Sequence, residues 1–288
     1  MSGALNLSDF DLPRSHCELC GSANIQPYHR DFRDITIFKC RACGIQFMNP
    51  QYTDAYLESY YATYTKDEAH WEEPLHYCHD FYMSLVEKHL AGPGSLLDVG
   101  SGGGYLLTAA KRRGWECIGY DVDAQTTAKV SEKIGVEIRS GDFTSIDWGR
   151  KRYDAVTMHQ VLEHLKSPVP YLRIIGDALR DNGILLIGVP NIHSLSASMK
   201  FGLEKLGLRK HRIGAYYDTS HHLWYYTPRT LRDVLNRFGF EIVHRRSGHR
   251  ARPNQSALKR AFMRTITDRP LWRSTMLILA RKQPTIKT

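Results

Sequence analysis

Two hydrophobic rhythms alternate along the chain between residues 95 and 190. Short apolar runs at 95–99, 116–120, 136–138, 153–158 and 184–189 read as strands covered on both faces. Segments with apolar positions at helical spacing, 105–113, 124–133 and 168–180, separate them. Strands that alternate with helices predict a parallel sheet with right-handed crossovers. Ala91-Gly92-Pro93-Gly94 breaks any helix before the first strand and marks the main boundary. Upstream, Tyr52, Tyr56, Tyr60 and Tyr64 fall four apart on one helical face, a stripe expected to meet a core or a neighbouring domain. A second helix is predicted from about 75 to 90, with Tyr77, Phe81 and Leu85 on one face. Downstream, Thr227-Pro228 reads as an N-cap and first helical turn, and that helix stops at Gly239.

The stretch 1–50 has a different character. Cys17-Glu-Leu-Cys20 and Cys40-Arg-Ala-Cys43-Gly44 are two C-x-x-C knuckles, separated as the two halves of a four-thiolate zinc site are. Each knuckle presents two sulfurs from one tight turn, and two such turns complete a tetrahedron around Zn²⁺. Residues 35–38 alternate like a strand leading into the second knuckle, so the pattern resembles a zinc ribbon. Four thiolates leave no open coordination position, which predicts a structural metal. Neither pair sits in the thioredoxin-like setting of a redox C-x-x-C. Cys78 and Cys117 stand apart and are expected to be packed thiols.

Composition refines this only in part. The 288 residues are 42% hydrophobic and 24% charged, as in an ordinary globular protein. No run approaches the roughly 18–20 apolar residues of a membrane span. The start lacks a basic region followed by an apolar core, so the expected location is cytoplasmic. The net charge of +9 is concentrated from residue 241 onward, where 12 Lys or Arg face only Glu241 and Asp268. Such a block suits an anionic partner: a phosphorylated substrate, a nucleic acid or an acidic membrane surface. A solvated basic surface has the same composition, and little aromatic residue interleaves it, which disfavours stacking on single-stranded nucleic acid.

The strand at 95–99 runs into Gly100-Ser101-Gly102-Gly103-Gly104, and a helix follows. Strand, glycine turn and helix form a nucleotide-binding first unit. A dinucleotide fingerprint would place its third glycine at Tyr105, so the spacing is D-x-G-x-G-x-G instead. The second strand ends at Asp121, close to the spacing from Asp98 that a ribose-binding carboxylate would have. Asp121 also precedes a helix and could cap it.

Taken in order, LLDVGSGGGY, GYD, GDF, YDAVTMHQVLEHLKSP and ILLIGVPN resemble the class I methyltransferases that use S-adenosylmethionine. They look most like the branch with quinone, sugar and natural-product methyltransferases, over about residues 93–245. The resemblance implies an α/β, Rossmann-like, doubly wound seven-stranded sheet with its last strand antiparallel, at about 274–280. It implies that residues 98–104, among them Asp98, Gly100, Ser101, Gly102 and Gly104, wrap the methionine part of the cofactor. Tyr120 and Asp121 would lie at the ribose, and Asp142 and Phe143 at the adenine. Phe143 also reads as core.

Methyl transfer to a hydroxyl needs positioning and a base, and histidine titrates in the useful range. His159 and Gln160 follow the fourth strand at the edge where ligands sit, and the resemblance puts them beside the methyl group. His164 is expected to be mainly structural. His221 and His222, within an aromatic run before the Thr227-Pro228 helix start, are the other base candidates. Between Ser194 and Tyr217 the connection is long. Leu195, Met199, Leu203 and Leu206 share one side there, with Lys200, Lys205, Arg209 and Lys210 nearby; lid, packed helix and surface helix all fit.

The expected organisation is a zinc-ribbon-like module at 1–50, a helical connector at 51–92 and a methyltransferase domain at 93–288 with a substrate-side insertion at about 194–226. The expected activity is methylation of a small-molecule acceptor, an anionic one among the classes considered, on a hydroxyl of a sugar, nucleotide-sugar, quinone or natural product. Sugar C-methylation is an alternative, although the chain lacks room for the large C-terminal domain of those enzymes. RNA methylation using the ribbon and basic segment is another. A degenerate, non-catalytic protein need not keep Gly100, Gly102, Gly104 and Asp121 together.

Overall fold

The computed structural model describes residues 5–31, 33–64, 76–206, 208, 217–247, 256, 258 and 274–284. Two sheets organise these residues. The smaller is built from β1 (Ile25–Arg30), β2 (Thr36–Cys40) and β3 (Gln46–Met48), all antiparallel. Its fourth strand, β9 (Trp224–Tyr225), comes from the far side of the sequence and pairs Gln46 with Tyr225 and Phe47 with Trp224. The cysteine-bearing module is therefore completed by the segment just ahead of α7 (Pro228–Arg237). This continuity was not expected from the sequence boundary near residue 50.

The larger sheet has seven strands in the order β10-β11-β8-β7-β4-β5-β6. β4 (Ser95–Val99), β5 (Glu116–Tyr120), β6 (Ile138–Arg139), β7 (Tyr153–His159) and β8 (Leu179–Pro190) are parallel. β11 (Thr275–Lys282) slots antiparallel between β8 and β10 (Phe240–Ser247). Both faces of the central strands are buried, as their unbroken apolar runs require: Leu96, Leu97, Val156, Met158, Leu185 and Ile187 are fully inaccessible. The helices α3 (Tyr105–Arg112), α4 (Ala124–Ile134) and α5 (Pro168–Ala178) provide the crossovers.

Local chemistry explains most boundaries. Asp123 caps α4 by accepting from Gln125 N and Thr126 N, and Gly135 ends it in the left-handed region. Thr227 and Thr230 exchange side-chain and backbone hydrogen bonds at the start of α7. Two elements shift from expectation. The predicted helix 168–180 stops at Ala178, because Leu179 is buried in pairing with Tyr153, so β8 starts at 179 and not at 184. Lys282 Nζ donates to the Gly176 and Leu179 carbonyls and satisfies that helix end. The strand predicted at 136–138 lies at Ile138–Arg139, opposite Gly119 and Tyr120.

α1 (Asp54–Tyr64) and α2 (His76–Glu87) lie between β3 and β4 in sequence. Tyr52 is fully buried, Tyr56 stacks on it at 4.1 Å between ring centroids, and Tyr60 stacks on His221 at 5.2 Å. The stripe thus meets the core and the loop that carries His221; the side chains of Tyr64 and Tyr77 lie outside the described residues. On α6 (Leu195–Lys205), Leu195, Met199 and Leu203 are exposed, as is Leu206 just beyond it, so this apolar side faces solvent instead of packing inward. Arg209, Lys210 and most of the basic block after residue 241 also lie outside the described residues.

Candidate active site

Parallel strands β4, β5 and β7 bring their C-terminal ends to one edge, and the glycine turn sits there. Gly100 and Ser101 donate backbone N–H bonds to the Tyr120 carbonyl at 2.7 and 2.9 Å. Gly102 N–H donates to Asp121 Oδ2 at 2.8 Å, and Asp123 N–H approaches Asp121 Oδ1 at 3.3 Å. The helix cap is Asp123, which leaves Asp121 to tie the first turn to the second strand. Gly100 has φ +76°, and a Cβ there would lie 2.2 Å from Val161 Cγ2, so glycine is demanded by the protein itself.

Asp98 is buried on β4 and accepts a 2.6 Å hydrogen bond from Thr157 Oγ1. Burial pushes its carboxyl up to about 7 against that hydrogen bond. Burial likewise raises Asp121, opposed by the Gly102 amide. Asp142 is occupied locally: it accepts from Thr144 N at 2.9 Å and from Ser145 Oγ at 2.6 Å, which holds its carboxyl low. Tyr120 donates to the Gly141 carbonyl at 2.6 Å and packs edge-on to Phe143. Phe143 is fully buried and stacked on Tyr171 at 4.4 Å, so its ring belongs to the core. Val122, between two aspartates, is an apolar side chain 59% exposed at this edge, and sequence reading passed over it.

His159 ends β7 with its ring across Gly188, where a Cβ would come within 2.3 Å of His159 Cδ2. Its ring also meets Tyr82 of α2 at 5.1 Å, and His79 of the same helix stacks on Tyr105 at 6.1 Å. Neither α2 residue was expected at the site, since only the neighbouring face of the helix was read from its spacing. Gln160 turns the chain with φ +58° and donates its backbone N–H to the Gly188 carbonyl at 2.7 Å. A non-glycine residue held there is a local strain of the kind found at functional edges.

Just beyond Gln160, His164 gathers the second histidine group. Its ring lies parallel to that of His221, 4.8 Å away, and 4.8 Å from that of His222. Its Nδ1 donates to the His221 carbonyl at 3.2 Å. Each of the three offers a ring nitrogen within 4.8 Å of the others. Burial depresses all three, His222 to about 3, so these are neutral imidazoles near pH 7. The structure thus keeps His159 with Tyr82 and groups His221 and His222 with His164. Glu163 is buried beneath, its Oε1 3.8 Å from His164 Nε2, and burial pushes it up to about 8.

The cysteines converge at the other end of the small sheet. Cys17 Sγ lies 3.8 Å from Cys43 Sγ, and Cys20 Sγ 3.5 Å from Cys40 Sγ. Four sulfurs bound to one zinc at about 2.3 Å would stand about 3.8 Å apart, so the set fits a tetrahedral ion. Gly21 and Gly44, both at positive φ, close the knuckles by donating to the Cys17 and Cys40 carbonyls. The hydrogen bond between Cys17 and Cys43 lowers Cys43 and, with burial, raises Cys17.

This seven-stranded topology, with its glycine turn and second-strand acid, defines a Rossmann-like class I methyltransferase that uses S-adenosylmethionine. A family model described as a methyltransferase domain matches residues 69–245, and the chain belongs to that family. The ubiquinone biosynthesis O-methyltransferase of Ruegeria pomeroyi is 27% identical over 195 residues, 60% of this chain and 76% of that protein. Its counterpart from Dinoroseobacter shibae is 29% identical over 164 residues, 52% of this chain and 61% of that protein. Among solved structures, the 1,6-didemethyltoxoflavin-N1-methyltransferase of Burkholderia thailandensis, with 1,6-didemethyltoxoflavin and S-adenosylhomocysteine bound, superposes with a TM-score of 0.56. It is 17% identical, with 90% of this chain and all of that one covered. A possible histamine N-methyltransferase from Thermotoga maritima gives 0.53 at 13% identity over 79% of this chain and 99% of that one; both likenesses speak for the fold alone. No described helix is long and apolar enough to cross a membrane.

Proposed function

We propose that this methyltransferase acts on a hydroxyl of a small ring-bearing acceptor, a phenol or catechol of the quinone type before a sugar. The observation that carries the reading is the placement of neutral His221 and His222 against His164, just beyond β7, at the sheet edge that also holds the glycine turn. The O-methyltransferase relatives support oxygen as the acceptor atom.

In this reading the turn from Asp98 through Gly104 holds the methionine end of S-adenosylmethionine, whose sulfonium supplies an electrophilic methyl group. Gly100, Ser101, Gly102 and Gly104 border it closely, with Tyr120 behind. Asp121 accepts from the ribose hydroxyls, and Val122 and the backbone of Asp142 and Phe143 flank the adenine. His159 and Gln160 wall the methyl group with Tyr82, so the acceptor oxygen is aligned and water is kept away. Cys17, Cys20, Cys40 and Cys43 hold a structural Zn²⁺ in the module at 1–50. The connector at 51–92 ties that module to the catalytic domain at 93–288, with the acceptor-side insertion at about 194–226.

The test is transfer of deuterated methyl from labelled cofactor to catechols, simple phenols and nucleotide-sugars, followed by mass spectrometry. Label on a catechol or phenol oxygen supports the reading. Label on carbon, or only on the sugars, sinks it.

A further inference from the structure

The acceptor-side loop contains a hydrogen-bonded chain from a carboxylate to an imidazole. Ser220 Oγ donates to Asp218 Oδ1, and the Ser220 amide donates to the same oxygen at 3.3 Å. A serine hydroxyl has one proton, and a carboxylate can only accept it. The other contact of Ser220 Oγ, 2.7 Å to His221 Nδ1, must then be one in which the ring nitrogen donates. Tyr60 Oη also lies 3.0 Å from Nδ1, its ring stacked on the imidazole at 18°. The His164 ring is stacked on the same imidazole at 8°. With its proton on Nδ1 and its plane held by two stacked rings, His221 carries its lone pair on Nε2.

His164 and His222 differ in this respect. Nδ1 of His164 is turned to a backbone carbonyl, not to a hydroxyl that leads on to a carboxylate. The His222 ring is pitched 59° from that of His221. We propose that Asp218 and Ser220 are positioning residues that fix the tautomer of His221, and that His221 Nε2 is the base for the acceptor hydroxyl. The base role rests on the O-methylation reading above. The acceptor O–H bond breaks and its proton passes to Nε2. The oxygen electron pair bonds the methyl carbon, and the carbon–sulfur pair stays on sulfur, giving ether and thioether. The groups facing His221 are Asp218 in its own loop, Arg33 from the small-sheet module, Tyr60 on α1, and His164 and His222. Asp218 favours the imidazolium, whereas burial and Arg33 oppose it.

Two measurements on the full chain test this. The first is the tautomer of His221 by NMR of ¹⁵N-histidine-labelled protein, assigned with H221Q. The second is methyl transfer to catechol and 3,4-dihydroxybenzoate as a function of pH. The expected wild-type spectrum has Nδ1 protonated. S220A mixes the tautomers and lowers kcat about ten- to a hundredfold with KM for the methyl donor unchanged, and S220T restores both. H221A loses roughly 10²–10⁴-fold and flattens the acid limb of the pH profile. A wild-type Nε2–H tautomer overturns the relay. The expected tautomer with a fully active H221A overturns the base role. A wild type that methylates neither probe overturns the base role together with the catechol reading, while the spectrum still decides the relay.

Discussion

Phe47 and Trp224 face each other across the seam where β9 joins β3 in the small sheet, directly paired and with ring centroids 5.2 Å apart. Both are fully buried, and Trp224 Nε1 also donates to the Leu165 carbonyl at 2.7 Å. Phe47→Ala is expected to cost about 3–5 kcal/mol of stability, as for other buried aromatics. Urea denaturation read by tryptophan fluorescence measures it, and a loss below about 1 kcal/mol would mean that the seam carries little stability.

The tie between Asp121 and Gly102 makes a binding prediction. Asp121→Asn is expected to weaken S-adenosylhomocysteine by about ten- to a hundredfold, the worth of a charge-assisted hydrogen bond, with the far-UV spectrum intact. Calorimetric titration decides it. An unchanged affinity would reduce Asp121 to a structural link in the turn.

Gly100 faces a steric demand from Val161 and a backbone demand from its positive φ. Gly100→Ala is expected to abolish cofactor binding and to lower stability by a few kcal/mol. Adding Val161→Ala relieves the 2.2 Å contact but not the dihedral, so it recovers stability only in part. Full recovery would show that the dihedral costs nothing.

Cys40 is fully buried, and Cys40→Ser should release the ion proposed for the cysteine cluster. One zinc per chain is expected in the wild type and none in the variant, by elemental analysis. Because β3 is paired with β9, loss of the ion should also expose Trp224, seen as a red shift that W224F removes. Wild-type protein purified without zinc and still stable to chelator would dismiss the metal.

Buried Glu163 predicts a pH dependence of stability. Its folded value near 8 lies above the ordinary 4.5, so between those limits the native state binds the extra proton. Stability should therefore fall as pH rises from about 4.5 to 8. His222, held near 3, acts in the opposite sense: stability is lost as pH drops below 6.5 toward 3. Glu163→Gln should flatten the alkaline decline, read from chemical denaturation between pH 6 and 9. An unchanged slope would place the titration elsewhere.

The strands and helices around the glycine turn were legible because their chemistry is local. Strands β4 and β5 fall where the apolar runs predict, and the Thr227-Pro228 start of α7 is a capping box with proline behind it. Long-range pairing is what the sequence concealed. Nothing local in Trp224-Tyr225 says that it completes a sheet begun at Ile25, and Leu179 leaves its helix only because Tyr153 lies opposite. The candidate site divides in the same way. Asp121 and the glycines follow from spacing, and Asp218 and Ser220 adjoin His221 in the chain but form no recognisable motif, whereas Tyr60 and Tyr82 are brought to their histidines by the folded chain.

The strand order β10-β11-β8 has a consequence for the chain as it leaves the ribosome. Among the described residues β10 joins its sheet only through β11, which is made well after it. β3 likewise waits for β9, and the whole parallel sheet from β4 to β8 is translated in between. The nascent chain therefore carries two open sheet edges for much of its synthesis, and neither sheet closes in the order of translation. A chain stalled before residue 275 would leave the flanks of β8 and β10 as adhesive edges for chaperones or for other copies of itself.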